Sequence, residues 1–245
     1  MAENAIGKEY TSKVLEMAQN VIDDQFGQIT CAADKIYASL KNGGVMHVFG
    51  CGHSHIFAEE CFYRAGGLVP VNPIFESSAM LHEGAIKSSY VERMSGYASL
   101  ILDNYDVKAR EVILIYSTSG INTLPIEMAL AAKEKGMTVV AVTSLNYRAV
   151  ASRYKTGQRL CDVADIVINN NVPCGDALLK FESRNAVPCS SIIGITILNT
   201  MIAEVLARYE KDGRPLPVFV SGNIEGAQDV NEAFIAEYRH KIKAL

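Results

Sequence analysis

Short apolar runs alternate with helix-like segments along most of this chain, and this alternation constrains the fold more than any other feature. The runs are rich in β-branched residues, which favours strands, and they lie at 45–49, 68–71, 112–116, 137–143 and 166–169. Strands that alternate with helices and are apolar on both faces are typical of a parallel sheet covered on both sides. The pattern predicts a single α/β domain, a three-layer αβα sandwich.

The longest predicted helix opens the chain. A stripe that includes Val14, Val21, Ile29 and Ile36 fits one face of an amphipathic helix, which Asn42-Gly43-Gly44 ends. Further helices are predicted over 53–65, 90–102, 124–135, 190–209 and 227–242. The segment 190–209 is almost uniformly apolar, so we expect it to be buried. We divide the single domain 1–245 into an N-terminal helix (1–42), a sheet core (43–210) and a C-terminal extension (211–245).

The charge balance excludes some partners. Twenty-three Lys and Arg residues against 27 Asp and Glu give a net charge of −4, and no basic run occurs, which argues against nucleic acid as a partner. No stretch reaches about 18 consecutive apolar residues, so no membrane span is predicted. The beginning MAENAIGKEY does not resemble a secretory signal, and the six cysteines form no CxxC pair. These features predict a cytoplasmic protein with reduced cysteines.

The turn after the first predicted strand reads Gly50-Cys51-Gly52-His53-Ser54. Glycines let a backbone approach a ligand closely, and the free N–H groups at the start of a helix favour an anion. His55 stands where a G-x-G-x-x-G fingerprint has its third glycine, which disfavours a dinucleotide cofactor. The chain has no GxxxxGK[ST] motif, which excludes a nucleoside-triphosphate P-loop.

The turn after the third predicted strand reads Ser117-Thr118-Ser119-Gly120-Ile121-Asn122. Its hydroxyl and amide groups can donate to phosphate oxygens, and they can also simply cap the next helix. If the two strands are neighbours, both turns open into one crevice. Neither turn contains Lys or Arg, so neutral donors and helix ends would hold a bound phosphate.

Together, GCGHS and STSGIN resemble the paired signatures of the sugar isomerase (SIS) domain, G-x-G-x-S and S-x-S-G-x-T, with Asn122 where the family usually has Thr. The order of elements fits over about 40–210. The whole chain, including HSHIFAEECFYRAGG and PVFVSGNIEGAQDVN, is similar to an SIS subfamily related to phosphoheptose isomerase and N-acetylmuramic acid 6-phosphate etherase. The resemblance implies a five-stranded parallel sheet in flavodoxin-like order and a homodimer. We expect the N-terminal helix to contact the second subunit, because it is too long for one domain to cover.

The resemblance also implies a sugar-phosphate site in which Ser54, Ser117, Ser119 and Asn122 hold the phosphate. With the rest of the two turns, the predicted phosphate-binding residues are Gly50, Gly52, His53, Ser54, Ser117, Thr118, Ser119, Gly120 and Asn122.

Sugar isomerisation and base-initiated elimination both need a base near the reacting carbons. The polar segment after the second strand offers Glu76, His82 and Glu83, and His82-Glu83-Gly84 loosely resembles the His-Gly-Asp region of SIS arabinose 5-phosphate isomerases. We predict Glu83 as the proton-transfer residue with His82 assisting, and Glu76 as a third catalytic candidate. The alternative is that all three are solvated loop residues.

Two departures from the relatives leave the activity open. Phosphoheptose isomerase and the etherase have a catalytic Glu ten residues past the loop serine, where this chain has Arg64, and the isomerase has a histidine late in the chain, whereas 190–209 has none. The favoured function is therefore a phosphosugar isomerase, with a lyase or etherase and a non-catalytic sugar-phosphate sensor as alternatives.

A metal site is considered because of His53-Ser54-His55. Residues two apart on a helix point in different directions, and Glu59 is the only further ligand nearby in the sequence. No metal and no cofactor are predicted.

Overall fold

Five parallel strands form the central sheet in a computed structural model that describes residues 5–245; residues 1–4 of the predicted N-terminal helix lie outside the described residues. The strand order is β2-β1-β3-β4-β5, which confirms the flavodoxin-like order. The strands are β1 (Met46–Gly50), β2 (Val71–Pro73), β3 (Val112–Tyr116), β4 (Thr138–Thr143) and β5 (Ile166–Asn169). The first three are buried along their whole length, which explains why they are largely apolar, with His47 and Asn72 as buried polar exceptions.

Helices cover both faces of the sheet, which confirms the three-layer sandwich. One face packs on α1 (Ile6–Leu40), α2 (Ile56–Cys61) and α7 (Ser190–Lys211). The other packs on α3 (Ala85–Val91), α4 (Tyr97–Leu102), α5 (Thr123–Glu134) and α6 (Leu160–Val163). Alternate residues of β3 divide between these layers, since Leu114 belongs to the first core and Ile115 to the second.

Four predicted elements are wrong in extent, one of them the helix predicted over 227–242, which ends at Tyr238. The helix predicted over 53–65 is a 3₁₀ turn, Gly52–His55, followed by the short α2. The helix predicted over 90–102 is two helices, because Gly96 takes a left-handed conformation (φ 81°) between α3 and α4. The strand predicted over 68–71 begins only at Val71, because Leu68 forms an antiparallel bridge with Val218 instead.

The expected burial of 190–209 holds for one side of the helix only. α7 buries one side, which includes Ile193, Ile197, Met201 and Val205, while Ile192 on the other side is 43% exposed. By length and composition alone, α7 is also the one helix among the described residues that could cross a membrane, with a mean hydropathy of 1.6 over its best window. One such helix is weak support for a membrane span, because the core helix of a globular domain has the same character.

The C-terminal extension covers the β2 side of the sheet. After the bridge at Val218, the Phe219 N–H donates to the carbonyl oxygen of Gly67 at 3.0 Å. The last helix, α8 (Ala227–Tyr238), then brings Tyr238 into a small core with Phe219 and Val69. A two-stranded hairpin, β6 (Leu179–Lys180) and β7 (Asn185–Ala186), which has no counterpart in the sequence-based prediction, lies before α7.

A buried, hydrogen-bonded pair of titratable side chains lies at the opposite end of the strands from the predicted site. His47 Nε2 and Glu111 Oε2 are 2.9 Å apart, and the backbone N–H groups of Val45 and Lys108 also donate to this carboxylate. Burial by itself raises the pKa of Glu111, but the His47 contact and the two amides outweigh it, so the pKa is lowered. The ionised carboxylate therefore stabilises the folded state.

Replacing Glu111 with glutamine should lower the free energy of unfolding at neutral pH by about 3 kcal/mol, because the substitution removes one partner of a buried pair. A carboxyl whose folded pKa is lowered contributes stability above its unfolded pKa, about 4.3, and loses it as the pH falls through the folded value. The difference between wild type and Glu111→Gln should therefore shrink with acidification across that window. Urea unfolding at a series of pH values measures it, with the exposed Glu134→Gln as control. A difference that is constant with pH would contradict this account.

Candidate functional site

The two predicted turns lie side by side at the carboxyl edge of the sheet. β1 and β3 are neighbours, and Gly50, the last residue of β1, is paired in register with Tyr116, the last residue of β3. After β1 the chain continues into α2, which packs on one face of the sheet. After β3 it continues into α5, which packs on the other face. The turns thus flank the topological switch point, where ligands of open parallel sheets bind.

Close packing of the backbone determines the shape of the first turn. A Cβ on Gly50 would lie 2.2 Å from the carbonyl oxygen of Ser54, so no other residue fits there without moving the turn. Gly52 takes a positive φ of 55°, and the Ser54 N–H donates to the carbonyl of Cys51 at 2.9 Å. Ser54 is half-buried and His53 is exposed.

The second turn is fixed by Gly120 and Ser117. Gly120 has a φ of 62°, and a Cβ there would lie 2.6 Å from Thr143 Oγ1. Its N–H donates to the buried Ser117 Oγ at 3.3 Å, so this hydroxyl already has a role within the turn. Thr118 and Ser119 are half-buried beside it.

Backbone N–H groups are available in both turns. Within residues 5–245, the amides of Gly52, His53, Thr118 and Ser119 donate no hydrogen bond to the protein. Free amides at the start of a helix or in a tight turn are suited to binding an anion. The crevice thus has uncharged donors on two neighbouring turns.

Asn122 is held by side chains that sequence reasoning missed. Arg153 Nη1 donates to Asn122 Oδ1 at 2.6 Å, which brings a positive charge next to a turn that contains none. Burial raises the pKa of the nearby Glu92 carboxyl, and Asn122 and Arg153 partly offset this rise. Glu92 also lies near Cys51, whose thiol pKa is raised well above its ordinary value by burial and then by this charge. No motif marks Glu92 or Arg153, because only the fold brings them to the turns.

The segment after β2 reaches the first turn, as the His82 and His55 rings show with centroids 5.1 Å apart. Glu83 is exposed and forms an ion pair with Lys87. Hydrogen bonds from Lys87 and then Ser77 lower the pKa of the Glu83 carboxyl, so it is ionised at neutral pH. Glu76 is set differently, because it accepts a hydrogen bond from Tyr97 Oη at 2.8 Å and caps a 3₁₀ turn.

His82 joins His55 and Glu59 in a cluster of metal-ligating side chains. One ligand atom of each lies within 4.8 Å of the other two. The sequence could not place His82 there, because it lies on a separate segment. These three residues could hold a metal ion.

A cavity of about 590 Å³ opens at the other end of the sheet, beside Glu111. It is lined by basic residues that include Lys35, Lys108 and Arg110. Ligands of parallel sheets bind at the carboxyl ends of the strands, so the crevice between the two turns is the stronger candidate site.

Relatives of this chain are found both among known protein families and among curated proteins. A family model described as the SIS domain matches residues 9–144. A UPF0309 protein of Geobacillus thermodenitrificans is 45% identical over 240 residues, which cover 97% of this chain and 96% of that protein.

Solved structures share the fold at low identity. Phosphoheptose isomerase from Neisseria gonorrhoeae superposes with a TM-score of 0.53 at 18% identity, covering 80% of this chain and 95% of that one. The NanR protein of Vibrio vulnificus, complexed with ManNAc-6P, superposes with a TM-score of 0.50 at 14% identity, covering 95% of this chain and 70% of that one.

Proposed function

This chain belongs to the SIS domain family, and from that premise we propose that it binds a phosphorylated sugar or amino sugar in the crevice between the turns at 50–54 and 117–122. Structural neighbours that are named as a phosphoheptose isomerase and as a complex with ManNAc-6P support this ligand class. The favoured reaction is isomerisation by proton transfer between C1 and C2 of the sugar.

The observation that carries the proposal is the set of free backbone amides on the two adjacent turns. The amides of Gly52, His53, Thr118 and Ser119 surround the switch point, and the hydroxyls of Ser54 and Ser119 are half-buried beside them. Neutral donors at helix starts bind a phosphate without a dedicated lysine or arginine. Asn122 would donate to the phosphate through its Nδ2 amide group, which faces the Glu92 carboxyl, because its Oδ1 accepts from Arg153.

We assign the proton transfer to Glu83. Isomerisation requires a base that removes a proton from the carbon beside the carbonyl and returns it to the neighbouring carbon. Glu83 lies on the segment that the His82–His55 contact brings to the first turn. In this proposal His82 stabilises the oxygen that becomes negative as the proton leaves. Glu76 is the weaker candidate, because Tyr97 and Ser78 already bond its carboxylate.

A non-catalytic sensor is the second candidate. Arg64 stands where the catalytic Glu of the relatives would be, and it forms an ion pair with Glu60. The NanR structure gives an SIS-fold neighbour in complex with a sugar phosphate. A lyase or etherase would use the same site and the same first step.

Thermal unfolding in the presence of sugar phosphates tests ligand binding. At 100 times its dissociation constant, a ligand of the folded state adds about 2.7 kcal/mol to the free energy of unfolding. We expect hexose, pentose or heptose phosphates, or their amino-sugar forms, to raise the melting temperature, and their unphosphorylated parents to have little effect. Ser119→Ala should reduce the shift, because it removes one donor to the phosphate.

Ser12→Ala, an exposed substitution on α1, is the matched control and should leave the shift unchanged. Equal shifts from phosphorylated and unphosphorylated sugars would refute the phosphate site. Binding without exchange of the sugar C2 proton in deuterated solvent would favour the sensor.

The homodimer and its contact through the N-terminal helix stay predictions. α1 exposes Leu15 (64%) and Phe26 (44%), apolar side chains that a second subunit would cover.

A further inference from the structure

His55, Glu59 and His82 converge beside the first turn, and nothing in the proposed phosphate site requires all three. His55 and Glu59 lie four residues apart, so a helical chain places them on one side. A surface pairing of this kind explains two of the residues. It does not explain His82, which comes from the segment after β2 and whose ring packs edge-on against His55 with an interplanar angle of 63°.

The His55 ring is oriented by the backbone. Its Nδ1 forms a hydrogen bond with the carbonyl of Gly52, and because a carbonyl only accepts, Nδ1 carries the proton. A histidine that binds a metal is typically held in this way, with its second nitrogen donating to a carbonyl or carboxylate. The His55 side chain is only 10% exposed, so the orientation is fixed by its surroundings.

The other nitrogen faces a carboxylate. His55 Nε2 and Glu59 Oε1 are 3.2 Å apart. With the proton on Nδ1, both atoms present lone pairs to each other, and a cation or a second proton must lie between them. Two ligands about 2.0–2.1 Å from one tetrahedral Zn²⁺ are separated by about 3.3 Å, so the observed spacing fits a shared ion.

We propose that His55, Glu59 and His82 bind a divalent transition metal, with Zn²⁺ the best match. Two imidazoles and one carboxylate, with a fourth position open, form the ligand set of many catalytic zinc sites. The three ligand atoms lie within 4.8 Å of one another, so the exposed His82 side chain would have to move its nitrogen closer to the other two to share one ion. If the proposed sugar phosphate binds, the open position would take a sugar oxygen, and the metal held by His82, in place of the imidazole itself, would stabilise that oxygen as it becomes negative.

Zinc titration of the full chain, after removal of metals with a chelator, tests the site. We expect one equivalent of Zn²⁺ to bind, and His82→Ala and Glu59→Gln each to weaken binding by about 100-fold, because each removes a ligand. Both side chains are exposed, so neither substitution should impair folding. His240→Ala, which removes another exposed histidine, is the matched control and should bind like wild type.

Replacing Zn²⁺ with Co²⁺ adds a readout of geometry. We expect the intense visible absorption of tetrahedral Co²⁺ in wild type and its loss in His82→Ala. Equal zinc affinity in wild type, His82→Ala and Glu59→Gln would overturn the proposal, as would the absence of tetrahedral Co²⁺ bands. Because these readouts need no sugar, a failure of sugar-phosphate binding would leave the metal site intact, and the reverse also holds.

Discussion

Gly50→Ala is expected to abolish sugar-phosphate binding and to lower the free energy of unfolding by about 3 kcal/mol. A Cβ at this position would meet the carbonyl oxygen of Ser54 at 2.2 Å and its carbonyl carbon at 2.5 Å. Both are backbone atoms and cannot rotate away. The first turn must therefore move, and with it the amides of Gly52 and His53 that we assign to the phosphate.

Gly27→Ala is the matched control for this substitution. Gly27 lies on the exposed side of α1, and a Cβ there would meet nothing within 4 Å. The alanine should raise the free energy of unfolding by about 1 kcal/mol, because it favours the helix, and should leave binding unchanged. Urea unfolding and the thermal-shift assay measure both properties. A Gly50→Ala protein that binds the same sugar phosphate as wild type would show that the first turn does not bind the phosphate.

Glu83→Gln is expected to lower turnover of the preferred sugar phosphate by about 100-fold or more, because it removes the base while keeping the size of the side chain. Binding should change little, since Glu83 is placed at the reacting carbons and not at the phosphate. Solvent deuterium incorporation at C2 measures the proton transfer, and the thermal shift measures the binding.

Glu9→Gln is the control for the lost ion pair. Glu9 pairs with Lys13 on α1 four residues apart, as Glu83 pairs with Lys87. Exposed pairs of this kind contribute little to stability, so the control should leave turnover unchanged. If Glu83→Gln retains full turnover, Glu92 is the next carboxylate to replace, because burial raises its pKa beside the same crevice.

The sheet could be predicted from sequence because most of its strands are largely apolar runs; the short β2, Val71–Pro73, which contains the buried polar Asn72, is the exception. β3 and β5 have the predicted bounds, and the strand order follows from the family resemblance. The region between β1 and β3 was harder, because helix periodicity extends across Gly96 although the helix does not. Leu68 is extended, but it pairs with Val218. No local sequence pattern predicts a contact between residues so far apart in the chain.

The candidate site also has a part that the sequence predicts and a part that only the fold brings together. The two turns are contiguous motifs, and their adjacency follows once β1 and β3 are neighbours. Arg153, Glu92 and the approach of His82 to His55 depend on how separate segments pack. A search for ligands close in sequence to His53 and His55 therefore could not include His82.

The packing of α1 against α7 has a consequence for the newly made chain. Val21 and Ile29 are buried in the same core as Ile193 and Ile197, which leave the ribosome far later. Because the ribosome adds about 5–20 residues per second, the apolar stripe of α1 remains without α7 for on the order of 10 s or more. Until α7 has been made this stripe is exposed to chaperones and to other nascent chains, and the core that it shares with α7 cannot be completed earlier.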